Sequence, residues 1–384
     1  MMDQPHTFHC QLPSAKFNCY GPSQIRAAYD IQPLLDAGRD GSGQVITIID
    51  AYQNPTMASD LAAFDSAWGL VAPPSFTTIA PFGLTSFNAN DANQVGWSGE
   101  IALDVEWAHA VAPGASIVLA LAPSDADADI LATERYVIQH RLGNVVSMSF
   151  GEAEACMDPH IQATEHSLFA AATANGMTFL AGSGDSGAAE LSCDGTTYSK
   201  AVSIPASDPS VTAVGGTDLH ANLTSGAYIG ERVWNEPFTP AAGGGGFSSV
   251  YSQPSFQGGA VGGAMRGLPD VAWSASLAHG VVVAWGSSGS PNEFWIFFGT
   301  SVGTPQWAAV VAIANQVAGH GLGNINAHLY ALGQSASKTS PFHDITEGDN
   351  SFGSVVGYSA ARGWDAASGW GSPDVNVLVP ALAR

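Results

Sequence analysis

The chain is short of positive charge. Among its 384 residues, Lys and Arg number 11 against 33 Asp and Glu, a formal net charge of −22 at pH 7, and charged residues of both signs make up only 11%. So large an acidic excess argues against a nucleic acid or an anionic membrane as partner. No run of 18 apolar residues occurs, so nothing reads as a membrane-spanning helix. Met1 to His9 has no apolar core of the kind a signal peptide carries, which reads as a processed or trimmed product, or as a chain whose export is not encoded here. Cysteine is scarce. Cys10, Cys19, Cys156 and Cys193 form an even set compatible with two disulfides in an oxidising compartment, Cys10–Cys19 closing a short loop and Cys156–Cys193 tying two later loops together. Free buried thiols are the alternative, and the pairing stays open.

What is present is a sizeable core and many carboxylates. Hydrophobic residues are 46% of the chain, and its length suits one large domain or two small ones. Near pH 3–4, roughly the ordinary pKa of Asp and Glu, much of the negative charge is neutralised, so self-repulsion is least in acid water.

Gln44–Asp50 is a short apolar run ending in a polar residue and reads as a buried parallel strand. Ser116–Ala122, Asn144–Phe150, Thr178–Gly182, Val211–Val214 and Gly280–Trp285 read alike, and Phe294–Gly299 is a further apolar strand. Helical patterns over Glu100–Ala112, Ala126–Leu142 and Ile161–Asn175 lie between several of them. The alternation predicts an α/β fold, a mostly parallel central sheet with helices on both faces. Asp50, Phe150 and Asp185 fall at strand ends and should share the rim where ligands gather. Thr304-Pro305 is predicted to open a helix running to about Val317. The Gly- and Ser-rich stretches 241–249 and 258–263 read as loops, and no linker separates an independent domain.

The segment with most chemistry is Trp97–His109. Glu100 and Asp104 stand four apart, so their side chains lie one above the other on one helix face. Like charges so placed destabilise an isolated helix by a few tenths of a kcal/mol. A solvated face would normally carry Lys or Arg as well, and this one carries none. The alternatives are a wet helix face and a carboxyl pair sharing a proton.

Two serine motifs compete for attention. Gly299-Thr300-Ser301-Val302-Gly303 matches the G-x-S-x-G nucleophile elbow, but the acid-then-histidine order that class needs after the serine is missing. Gly184-Asp185-Ser186-Gly187 copies the nucleophile motif of antiparallel-barrel proteases, which the strand–helix alternation excludes. A subtilisin-type order would run Asp50, then His, then Ser301, yet the helix that should open on that His carries Glu100 and Asp104.

With that substitution the sequence resembles the sedolisin family of serine-carboxyl peptidases, its kumamolisin branch included. The likeness spans Gly43–Asp50, Gly99–Pro113, Ser147–Gly151, Ala181–Gly187, Ala213–Thr217, Arg266–Ala272, Gly299–Pro305 and Asp344–Pro373. It implies a subtilisin-like fold, peptide hydrolysis at acid pH and one bound Ca²⁺. Ser301 would be the nucleophile, Glu100 its general base, Asp104 the orienting acid, and a protonated Asp185 the oxyanion donor. A carboxylate suits acid because imidazole, pKa about 6.5, is already protonated there. Calcium would be held by the side chains of Asp344 and Asp365 with carbonyls of Ile345, Ala361 and Gly363, hard oxygen donors of mixed type. Gly348-Asp349-Asn350 invites an EF-hand reading, but the closing Glu of that loop is absent.

Two positions depart from the family pattern. Asp50 stands where some relatives carry Glu, and Phe150 where many carry Trp. The resemblance further implies a single catalytic domain over 1–384, with a leader at 1–40 and the calcium region at 340–373. It also implies a propeptide present before maturation and absent from this chain. Partners would be polypeptide substrates held along Ser149–Gly151 and Gly182–Gly184, with Glu152, Glu190 and Asp194 near the rim. The expected protein is a secreted monomer of acidic surroundings, using neither nucleic acid nor membrane. The rivals are a His-dependent subtilisin-type serine hydrolase and a catalytically silent peptide-binding scaffold.

Overall fold

Val45-Ile46-Thr47-Ile48-Ile49-Asp50-Ala51 offers no solvated face, and it lies inside a sheet covered on both sides. The computed structural model describes residues 8–236, 238–289, 293–335 and 340–384, so the first seven residues of the expected leader lie outside the described residues. The central sheet comprises β1 (Val45–Ala51), β2 (Phe76–Ile79), β3 (Ser116–Ala122), β4 (Val145–Met148), β5 (Thr178–Gly182), β6 (Val211–Ala221), β7 (Tyr228–Val233) and β8 (Val271–Ser274). The order β2-β3-β1-β4-β5-β6 is parallel throughout; β8 joins β6 in parallel and β7 joins it antiparallel.

The longer helices are α1 (Met57–Trp68), α2 (Ala92–Val111), α3 (Asp127–His140), α4 (Pro159–Thr173) and α5 (Thr300–Ala318). Alternation along β1 sends Ile46 and Ile48 into one apolar cluster and Ile49 into another. The first cluster holds α2 and α5; the second receives Val137 of α3 and Phe169 of α4. This is the expected mostly parallel α/β sandwich.

α2 and α5 are buried almost all round, from Ile101 to Val111 and from Val302 to Asn315, and they pack on each other. A helix apolar on every side can only be an inner helix. Asp91 caps α2, its carboxylate accepting from the N–H of Asn93 at 3.0 Å. Indole N–H groups in this layer find carbonyls: Trp107 donates to Val282 and Trp307 to Ala272, each at 3.1 Å.

Three expectations need correction. His279–Ala284, expected in the central sheet, pairs instead with Asn18–Tyr20 and Phe294–Phe297 in a separate three-stranded sheet. An apolar run announces burial but not which sheet it joins. α5 begins at Thr300 rather than Thr304, so Pro305 lies inside the helix. Its missing N–H leaves the Ser301 carbonyl without its usual donor. α2 starts at Ala92, eight residues before Glu100, because the Asp91 cap outweighs Gly96 and Gly99.

Candidate active site

Glu100 and Asp104 project from α2, and Ser301 from the first turn of α5. The packing of these two helices brings the three together, with the Ser301 side chain within reach of the Glu100 carboxylate and favouring its ionised form. Asp104 is fully buried and its Oδ1 accepts from the Ser149 hydroxyl at 2.9 Å. Asp50, at the end of β1, is also fully buried, and neither of its oxygens has a hydrogen-bond partner.

Burial raises every carboxyl in this stack. Desolvation pushes Glu100 up to about 8, the Ser301 side chain opposing and the charge of Asp185 adding to the rise. Asp104 is held well above the usual carboxylate range by burial, then by Asp50 and Glu100. Asp50 is raised by burial and by Glu100. Such acids hold protons in acid solution. Glu100 alone of the three is partly open to solvent, so it is the member best placed to give its proton up.

Asp185 follows β5 on the loop facing α5. Its Oδ1 accepts from the N–H and the hydroxyl of Thr300, at 2.8 and 2.9 Å. Its tip opens on the cleft, yet the protein packed around it raises the carboxyl, against the two bonds from Thr300. Gly299, the N-cap of α5, has φ +114°. The Ser301 N–H beside it belongs to the first turn of α5, where backbone donors have no helical acceptor.

The cleft over Ser301 is walled by Ser149, Phe150, Gly151, Gly182, Gly184 and Glu190. The two rim strands expected to hold an extended peptide therefore both border the cleft that Ser301 lines. Burial pushes Glu190 up to about 8, with Asp185 adding to the rise. Asp194 stands apart: exposed in a turn, it accepts from Ser192 and Thr196, each hydroxyl at 2.7 Å. Phe150 lines the cleft and lies 6.2 Å from Trp97, ring to ring. The cysteines pair Cys10–Cys19 and Cys156–Cys193. Among the described residues no histidine lines the cleft; the side chains facing Ser301 there are carboxylic and hydroxylic. Sequence reasoning used only the backbone of Ser149 and gave Thr300 no role. The signal was the hydroxyl in Ser-Phe-Gly and in Gly-Thr-Ser.

At the expected calcium region, the Gly363 N–H donates to both oxygens of Asp344 at 3.1 Å, which joins segments 19 residues apart. Asp365 is buried and accepts from the N–H groups of Ala361, Ala367 and Ser368, each at 2.9 Å. Ile345 is buried and Ala361 exposed. The oxygen donors fit a hard cation in kind. Elsewhere, the one cluster of three metal-type ligands among the described residues is Asp218, His220 and His279. There the Arg232 guanidinium already binds Asp218 Oδ2 at 3.1 Å, supplying the positive charge.

No family model matches the chain. It is 35% identical to kumamolisin from Bacillus sp. (strain MN-32), over 98% of this chain and 66% of that protein. It is 32% identical to sedolisin from Pseudomonas sp. (strain 101), over 94% of this chain and 60% of that protein. The chain thus spans less than two thirds of the length of these curated relatives. Among solved structures, Pseudomonas sedolisin (a serine-carboxyl proteinase) complexed with two molecules of pseudo-iodotyrostatin superposes with a TM-score of 0.82. That likeness is 29% in sequence and covers 95% of this chain and 98% of that one.

Proposed function

This chain belongs to the sedolisin family, and from that footing we propose that it is a serine-carboxyl peptidase hydrolysing peptide bonds in acid through an acyl-enzyme on Ser301. The observation that carries the reading is the placing of Ser301 beside Glu100, with Asp104 one turn further along the same helix.

In the fraction of molecules whose Glu100 is ionised, the Ser301 Oγ attacks the peptide carbonyl carbon while its proton passes to the Glu100 carboxylate. The carbonyl oxygen becomes an oxyanion, met by the Ser301 N–H and by the proton on Asp185. Desolvation raises the Asp185 carboxyl, which favours its protonated form. As the C–N bond breaks, Glu100 returns the proton to the leaving amine. Water then repeats the sequence on the ester: it loses a proton to Glu100, its oxygen bonds the acyl carbon, and Ser301 leaves with the proton restored. Asp104, anchored by Ser149, orients Glu100, and Asp50 keeps the stack short of charge.

One Ca²⁺ held by Asp344 and Asp365 with carbonyls of Ile345, Ala361 and Gly363 would pin the 344–365 region, a structural rather than chemical part. Substrates are polypeptides lying along Ser149–Gly151 and Gly182–Gly184. Two disulfides and the acidic composition support secretion into acidic surroundings. Rapid acid quench of a turnover mixture, followed by mass spectrometry, tests the reading. An acyl adduct on the peptide bearing Ser301 is expected; cleavage surviving in Ser301→Ala would sink it.

A further inference from the structure

Phe150 and Gly151 also form a wall of a second cavity, which Ser301 does not line. Its apolar sides set the rings of Trp97 and Phe150 beside Ile130, Met157, Ile204 and Pro205. Its polar lining is acidic, comprising Asp125, Asp127, Glu152 and Glu165, and among the described residues it includes no Lys, Arg or His.

These carboxyls are not alike. Asp125 at the rim is already engaged, accepting from the Tyr52 hydroxyl at 2.9 Å and the Asn93 amide at 2.8 Å. Glu165 is only 2% exposed, and its Oε2 has no hydrogen-bond partner. The buried Oε1 of Glu152 likewise has none. Behind them sits Glu134, fully buried with both oxygens unpartnered and raised by burial and by Glu165. Glu134 does not line the cavity. That leaves Glu152 and Glu165 as unpaired acceptors lining an open cavity, a costly arrangement unless a donor arrives from outside.

We propose that this cavity is a subsite for a basic side chain, arginine or lysine, of a peptide whose backbone runs along Ser149–Gly151. The proposal rests on the peptidase reading above. A guanidinium matches both features at once: its flat face lies on aromatic rings, and its edge forks onto carboxylates. The strand edge that would hold the peptide is continuous with the cavity wall, so a side chain alternating off that backbone has a direct way in.

The groups around the cavity set how binding responds to pH. Burial holds Glu165 at about 8, with Asp208, Asp127 and Glu152 adding to the rise. Glu152 stands at about 7 through burial and Asp127. Asp208 is itself paired with His166 at 2.8 Å. The empty cavity therefore holds protons in acid, and an entering cation releases them, so the preference for a basic side chain grows as pH rises.

The test uses peptides carrying arginine or its uncharged isostere citrulline at each position around the scissile bond. For the protein as it stands, one position is expected to favour arginine in kcat/KM by about tenfold, ~1.4 kcal/mol. The ratio should fall to about twofold or less in Glu165→Gln and in Glu152→Gln, and should be larger near pH 6 than near pH 4. A ratio near one at every position, or one unchanged in both variants, overturns the proposal. Calorimetry of the same peptides on Ser301→Ala reads the cavity without cleavage. If nothing is cleaved, the peptidase reading has failed. A tenfold binding preference for arginine there still supports the subsite, and equal binding overturns it.

Discussion

Gly299 and Asp185 are fitted so closely that a Cβ on Gly299 would fall 2.6 Å from Asp185 Oδ2. The glycine also holds φ +114°, which side-chain-bearing residues rarely adopt. The N-cap of the helix that bears Ser301 is thus shaped to let the Asp185 carboxyl lie against it.

Gly299→Ala should therefore cripple catalysis through Asp185. The strain costs about 1–3 kcal/mol, and displacing an oxyanion donor costs on the order of 100- to 1000-fold in rate. Steady-state kinetics should show kcat falling more than KM rises, with the thermal midpoint lowered by only a few degrees.

Asp185→Ala should lose a similar factor, on the order of 100- to 1000-fold. Asp185→Asn separates proton from charge. Its amide can donate to an oxyanion at any pH while its carbonyl keeps the Thr300 bonds, so its rate should decline less as pH rises towards neutrality. A pH–rate profile identical to that of the unmodified protein would count against Asp185 as the titrating donor.

Ser301→Ala and Glu100→Gln should each abolish cleavage, on the order of 10⁴- to 10⁶-fold, and should not be additive, because the two act as one unit. Ser149→Ala should act more gently. It strips Asp104 of its hydroxyl donor and should lower kcat about tenfold while shifting the acid limb of the profile.

Stability should fall as the solution is made less acid. Glu100, Glu165 and Glu190 at about 8 and Glu152 at about 7 bind protons more tightly folded than unfolded, as do Asp50, Asp104 and Glu134. Between about pH 4 and pH 8 the native state carries more protons than the unfolded chain, so unfolding becomes easier as pH rises. One fully buried group of this kind is worth about 2–5 kcal/mol. Calorimetric melts should show a midpoint dropping steadily across that window; a midpoint rising from pH 4 to pH 7 would refute the account.

Chelation should lower the melting midpoint by several degrees if calcium binds at Asp344 and Asp365, since a ligand at about 100 times its Kd adds ~2.7 kcal/mol. Asp344→Asn should remove that chelator response. A chelator effect of full size in this variant would place the ion elsewhere.

Much of the site was legible in the sequence because its signals are local. The four-residue step from Glu100 to Asp104, the serine before a helix, and Asp185 just past an apolar strand each declare themselves within a few positions. What escaped depends on packing between distant segments. Nothing near Glu165 or Glu134 says that both will be buried, since that follows from α3 lying on α4. The short strands Phe76–Ile79, Tyr228–Val233 and Val271–Ser274 were missed for a related reason: their pairing partners, not their own patterns, make them strands.

The Cys156–Cys193 bond joins the loop beyond Glu152 to the hairpin beyond Glu190, so it ties together segments leading from both walls of the substrate cleft. Exchange of a disulfide needs a thiolate to attack it, and thiolates are vanishingly rare where carboxylic acids stay protonated. In sour surroundings this clamp cannot be reshuffled, and the width of the groove becomes a property fixed once, at the time the protein is made.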